Sequence, residues 1–101
     1  MIIVTGSVRA RPETRDEIVR ISLEHVHRSR RETGCLLHSV HRDVEDTERF
    51  VFIEHWTDRD ALRVHFRVPE SGAFATALGE LAAEPPTMEI YDVTEVSPGS
   101  A

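Results

Sequence analysis

The order of elements in this chain predicts an α+β domain: a four-stranded antiparallel sheet with its helices on one face. Three observations carry that reading. Strand-like alternation and helix-like spacing follow one another as β-α-β-β-α(α)-β, which is the split βαβ, or ferredoxin-like, pattern. The stretch Arg49 to His65, RFVFIEHWTDRDALRVH, begins with aromatic and β-branched alternation and ends with helical spacing. The first and third strands are apolar on both faces, although the helices of a split βαβ unit can cover only one. That surplus predicts a homodimer packed sheet to sheet.

The first strand is expected over Ile2 to Arg11, with Ile2, Val4, Gly6 and Val8 on one face and Ile3, Thr5, Ser7 and Arg9 on the other. Pro12 ends it, and Thr14 with Glu17 reads as a capping box opening a helix from about Glu13 to Thr33. Ile18, Val19, Ile21, Leu23 and Val26 mark its apolar sector. Ser22 and Ser29 fall inside that sector and His25 at its edge, either as small polar residues where helix meets sheet or as groups aimed into a cavity. Gly34 is the expected stop.

The second strand, Cys35 to Asp43, alternates Leu36, His38, Val40 and Arg42 against Cys35, Leu37, Ser39 and His41. After a polar loop, the third strand, Arg49 to Trp56, sets Phe50, Phe52, Glu54 and Trp56 on one face. Thr57 or Asp58 caps a short helix with Ala61, Leu62, His65 and Phe66 on one side. A third helix follows Pro69, from about Glu70 to Ala83, with Phe74, Ala77, Leu78 and Leu81 as its apolar face. Pro85-Pro86 closes it, and a fourth strand is expected over Thr87 to Val96. Residues 1–96 thus form a single domain and 97–101 a frayed tail.

At 101 residues, 40% hydrophobic and 30% charged, the chain suits one small globular core. A net charge of −6 argues against a nucleic-acid backbone or an anionic membrane as partner. No apolar run is long enough for a membrane span or signal sequence. The single cysteine, Cys35, favours a reducing, cytoplasmic setting. All twelve basic residues are arginine, and there is no Lys, Asn or Gln, so neither a Schiff-base lysine nor a carboxamide can serve a mechanism.

Six histidines raise the question of a metal, but no pair has ligand spacing: His25 and His27 diverge around a helix, and His38 and His41 lie on opposite faces of a strand. No metal and no cofactor are expected. Neither a nucleophile motif nor a phosphate loop is present. What remains is a cavity between sheet and helices, with Phe50, Phe52, Phe66 and Phe74 as apolar walls and Glu54, Trp56 and His65 as chemistry. It suits a flat aromatic ligand. His65 is a candidate general base with Glu54 orienting it, unless the two simply pair under the tryptophan.

Glu32-x-Gly34-Cys35, Val40-His41-Arg42-Asp43, Phe52-x-Glu54-x-Trp56 and Ala61-Leu62-x-x-His65 occur in this order over a chain that, from Ile2 to Val96, resembles the antibiotic biosynthesis monooxygenase family of dimeric α+β barrels. The resemblance implies a ferredoxin-like subunit whose sheets pair into a barrel. It also implies oxygenation of quinols or anthrones by dioxygen, without metal, flavin or haem. In that setting His65 is the base or hydrogen-bond partner, Trp56 packs on the substrate ring and Glu54 orients or polarises. Ser22, His25, Thr5 and Ser7 are lesser candidates at the cavity wall. The haem-degrading branch of the superfamily depends on an asparagine, which this chain lacks, and His38 stands where many relatives carry tyrosine, leaving Tyr91 as the only phenol. Two other readings use the same cavity: a non-catalytic module binding a small aromatic metabolite, and an isomerase, cyclase or dehydratase on the same fold.

Overall fold

The computed structural model describes residues 1–101 as β1 (Ile2–Arg9), α1 (Arg15–Ser29), β2 (Cys35–Arg42), β3 (Arg49–Trp56), α2 (Arg59–Arg67), α3 (Pro69–Leu81) and β4 (Thr87–Asp92), with a last 3-10 turn at Pro98–Ser100. The sheet is antiparallel throughout, in the order β2-β3-β1-β4. This is the expected ferredoxin-like architecture. No helix is long and apolar enough to cross a membrane.

The strand period decides which side chains meet the helices. Ile2, Val4 and Val8 of β1 and Phe50, Phe52, Glu54 and Trp56 of β3 are all buried on the covered face. Helix α1 answers with Ile18, Ser22, His25, Val26 and Ser29, a stripe at helical spacing. Ser22 and Ser29 are fully buried there, small enough to let the helix approach the sheet. The core divides in two. One cluster joins Val8, Ile18, Val26, Phe50, Phe52 and Leu78; a smaller one joins Ile2, Val4, Trp56 and Leu62.

Several boundaries differ from the sequence expectation, each for a local reason. Helix α1 ends at Ser29 rather than near Thr33, because Arg31 and Glu32 turn back with i→i−3 bonds to Arg28 and Ser29. The capping box does not form. The Thr14 hydroxyl instead donates to the Leu81 carbonyl at 2.8 Å, tying the start of α1 to the end of α3. Strand β4 stops at Asp92 because its partner β1 begins at Ile2; the Val93 amide makes a last bond to the Met1 carbonyl. In β2, a bulge between Cys35 and Leu37 adds one residue. Cys35 therefore pairs with Trp56 and His38 with Glu54, so both point to the helix side, whereas strict alternation separates them.

Gly34 adopts φ +85°, the left-handed region open to glycine. A Cβ there would stand 2.6 Å from the Ala61 Cβ and 2.8 Å from the Thr57 hydroxyl. The turn after α1 and the first turn of α2 thus touch directly. At the other end of the fold, β4 is an exposed edge strand, with Met88 and Ile90 about half exposed.

Candidate functional site

A cavity of about 300 Å³ opens between the sheet and helices α1, α2 and α3. Phe52, Phe66, Phe74 and Met88 supply apolar wall, while His25, Glu54 and His65 supply its polar groups. Of the residues singled out from sequence, Phe52, Glu54, His65, Phe66, Phe74 and His25 line it, and Ser7 stands at its rim, where its hydroxyl shares a 2.8 Å hydrogen bond with Thr87.

The other candidates lie elsewhere. Thr5 pairs with Ile53 on the uncovered sheet face. Phe50 belongs to the larger core cluster, with the Arg42 guanidinium over its ring. Ser22 is fully buried and its hydroxyl faces no partner. Trp56 is also fully buried and does not reach the cavity. Its indole N–H donates to Glu54 Oε1 at 2.9 Å, so it positions the carboxylate and cannot stack on a bound ring.

Each polar group is delivered by its element's own period. Asp58 caps α2 by accepting the Ala61 amide, and Leu62 and His65 then share the buried side one turn apart. His65 packs 4.7 Å from Trp56, ring to ring. Its pairing differs from the sequence expectation. Glu54 Oε1 is 4.0 Å from His65 Nε2, whereas both Glu32 oxygens lie 3.0–3.1 Å from His65 Nδ1. The carboxylate orienting this imidazole comes from the turn after α1.

Arg28 completes the arrangement. Its guanidinium donates to Glu32 Oε2 at 3.1 Å, to Ser71 Oγ at 3.1 Å and to His25 Nδ1 at 2.7 Å. A guanidinium has only donors and a carboxylate only acceptors. His25 Nδ1 must therefore accept, which leaves its proton on Nε2. His65 Nδ1 must donate, which leaves the lone pair of its Nε2 free. One ion pair thus gives two cavity-lining imidazoles opposite tautomers. Phe74 stacks on His25 at 4.0 Å, nearly parallel, and fixes its plane.

Burial, reinforced by the charges of His38, His65 and Arg28, pushes His25 down to about 3. His65 is also lowered, chiefly by burial and against the pull of Glu32 and Glu54, so its Nε2 is a neutral base. Burial pushes the Glu54 carboxyl up, but the His38 imidazole 3.4 Å away, the hydrogen bond from the Trp56 N–H and the nearby His65 together outweigh it and hold it below the ordinary range. The Cys35 thiol is raised by burial and by Glu32 and Glu54, which makes it a poor nucleophile.

Sequence spacing missed Arg28, and Glu32 entered only as part of a family motif. Both carried a local signal, since Arg28 stands three residues after His25 and four before Glu32, the separations that meet on a helix. It also missed that three histidines on three elements converge. His25, His38 and His65 each place one ring nitrogen within 4.8 Å of the other two.

The sequence profile of the family described as antibiotic biosynthesis monooxygenase matches residues 1–77. The chain belongs to that family. The Synechocystis protein sll1783 is 32% identical over 94 residues, 93% of this chain, and the chain spans 64% of that protein's length. The Bacillus subtilis protein YcnE, whose name proposes a monooxygenase, is 27% identical over 85 residues, 84% of this chain and 90% of its own. A crystal structure from Deinococcus radiodurans, described as a proposed antibiotic biosynthesis monooxygenase, superposes with a TM-score of 0.91 at 26% identity, covering 96% of each chain. The family match takes in Arg28, Glu32, His38, Glu54, Trp56 and His65, and it ends before Met88 at the cavity rim.

Proposed function

We propose that this chain is a cofactor-independent monooxygenase that oxidises a small aromatic quinol or anthrone-like substrate with dioxygen. The observation that carries the reading is His65: a neutral imidazole, tied through Nδ1 to Glu32, presenting a bare Nε2 to an apolar, aromatic-walled cavity. In this reading His65 Nε2 takes the proton of the substrate hydroxyl or acidic methylene. The His25 Nε2–H donates to the oxyanion so formed, and the apolar wall keeps water away from it. The electron-rich anion passes electrons to dioxygen. One oxygen atom enters the substrate carbon, and the other leaves as water with the two hydrogens removed. Glu54 stays ionised beside the site and is held by Trp56.

A homodimer joined through the uncovered sheet face is part of the proposal. It is supported by the apolar Ile3, Val51 and Ile53 on that face, which are only partly buried in the single chain. The test is oxygen uptake over a panel of hydroquinones, naphthoquinols and anthrones with chelator present. The expected result is uptake above the uncatalysed rate that falls by about 10²–10⁴ in His65→Ala, the scale of a lost general base. Uptake at the background rate across the panel, with aromatic ligands still bound, would replace the oxygenase by a binding module.

A further inference from the structure

Proton transfer leaves one imidazole, buried behind the cavity wall, without a task. His38 is 1% exposed, yet neither of its ring nitrogens has a hydrogen-bond partner. Its Nε2 comes within 3.4 Å of Glu54 Oε1, outside hydrogen-bond geometry. Leaving both nitrogens of a buried ring unpaired is costly unless something else meets them. The rings of His25 and His65 lie 5.2 and 5.7 Å away, centre to centre. We propose that His25, His38 and His65 form a binding site for one divalent transition-metal ion of the Zn²⁺ or Co²⁺ class, where His25 and His65 of the cavity wall meet the buried His38 behind them.

The geometry is close to what such an ion needs. Tetrahedral coordination holds imidazole nitrogens at about 2.0–2.1 Å from the ion, hence about 3.4 Å from one another. Closing from the present 4.8 Å takes an inward shift of less than about 1 Å by each ring. The ligands come from α1, β2 and α2, so the tertiary fold builds the site and no local motif announces it. Imidazole is the ligand these ions favour. The surroundings suit a cation as well. Glu32 on His65 Nδ1 is the carboxylate–histidine arrangement that orients metal-bound imidazoles. The ionised Glu54 stands beside the ligand nitrogens of both His38 and His65.

Arg28 opposes the ion. By occupying the His25 Nδ1 lone pair, it leaves the proton on Nε2, the nitrogen not held by the guanidinium and therefore the one available to an ion. Metal binding requires Arg28 to release His25, retaining Glu32 and Ser71, while the proton moves to Nδ1. Arg28 therefore sets the affinity of the site through the tautomer of one ligand. A bound ion would also consume the His65 lone pair. On the oxygenase reading, and only there, the metal is an inhibitor and the metal-loaded and base-active forms exclude each other.

The test needs no substrate. Chelator-stripped protein is titrated with Co²⁺, read by its visible d–d absorption, and with Zn²⁺ by calorimetry. One ion per chain with a tetrahedral Co²⁺ spectrum is expected. Affinity should fall at least about 10-fold in His25→Ala and His38→Ala, and should be unchanged in His27→Ala, His41→Ala and His55→Ala. Arg28→Gln, whose carbonyl can accept the His25 Nδ1–H, should tighten binding by about 10-fold, the scale on which a hydrogen-bond partner of a metal-bound imidazole changes affinity. If His38→Ala fails to fold by circular dichroism, His25→Ala and Arg28→Gln carry the decision. Binding that is absent, or equally weak in every variant, or lost in the surface-histidine variants, overturns the proposal. Because no turnover is read, that failure is separate from any failure of the oxygenase reading.

Discussion

The two halves of β3 face the same layer of helices and do opposite work. Phe50 and Phe52, at one end, pack with Val8, Ile18, Val26 and Leu78 into the larger apolar cluster. Glu54 and Trp56, two and four residues on, meet His38 and His65 in a buried polar group. Burial is equally deep in both, yet the chemistry of stabilisation differs. The first half gains from apolar area removed from water. The second must satisfy each polar atom individually, and it leaves His38 unsatisfied. One strand thus carries a stability end and a reactive end, with Phe52 at the boundary because it serves both the cluster and the cavity wall.

Substitutions should separate the two ends. The largest effect is expected from His65→Ala, with oxygen uptake per folded molecule down about 10²–10⁴, far beyond any loss of folded protein, read by uptake and calorimetry on one preparation. Ile18→Ala at the other end should reverse that pattern. It should cost about 2–5 kcal/mol in denaturant unfolding and leave the rate per folded molecule intact. Equal losses of rate and stability in either variant would erase the distinction.

The polar end should also make stability depend on pH. His25 sits at about 3 when folded and near its ordinary 6.5 when unfolded. Between those values the unfolded chain binds more protons, so stability is full above pH 6.5 and declines as pH falls toward 3. His25→Leu should flatten that limb of an unfolding-versus-pH curve by a few kcal/mol; an unchanged slope would place the titration elsewhere. The smallest effect is expected from Thr14→Val, which removes the hydroxyl bond to Leu81 and should cost about 1 kcal/mol at equilibrium without altering uptake.

Most of the architecture was legible because it depends on periodicity. Alternation along β1 and β3 and the stripe on α1 are long enough to name both element and buried face. The same patterns named Phe52, Phe66 and Phe74 of the cavity wall, but they also named Phe50, which packs into the larger cluster, and passed over Met88. What alternation could not register was the extra residue at Leu36, which brings Cys35 and His38 to one side of β2. Pairings across elements were equally silent. Nothing in the spacing distinguishes Glu32 from Glu54 as the partner of His65, since that choice depends on how a turn sits against a helix 33 positions away. The histidine cluster was invisible for the same reason: ligand-spacing rules detect neighbours along one element, and these three share none.

That turn and that helix meet at Gly34 and Ala61, where there is no room for a single added carbon. Glu32 stands two residues before one side of the contact and His65 one helical turn beyond the other. The thickness of a glycine is therefore the spacer that sets the carboxylate-to-imidazole distance. A methyl group at Gly34 would act as a shim, prising α2 from the turn and unhooking the base from its carboxylate without touching either side chain or any atom of the cavity wall.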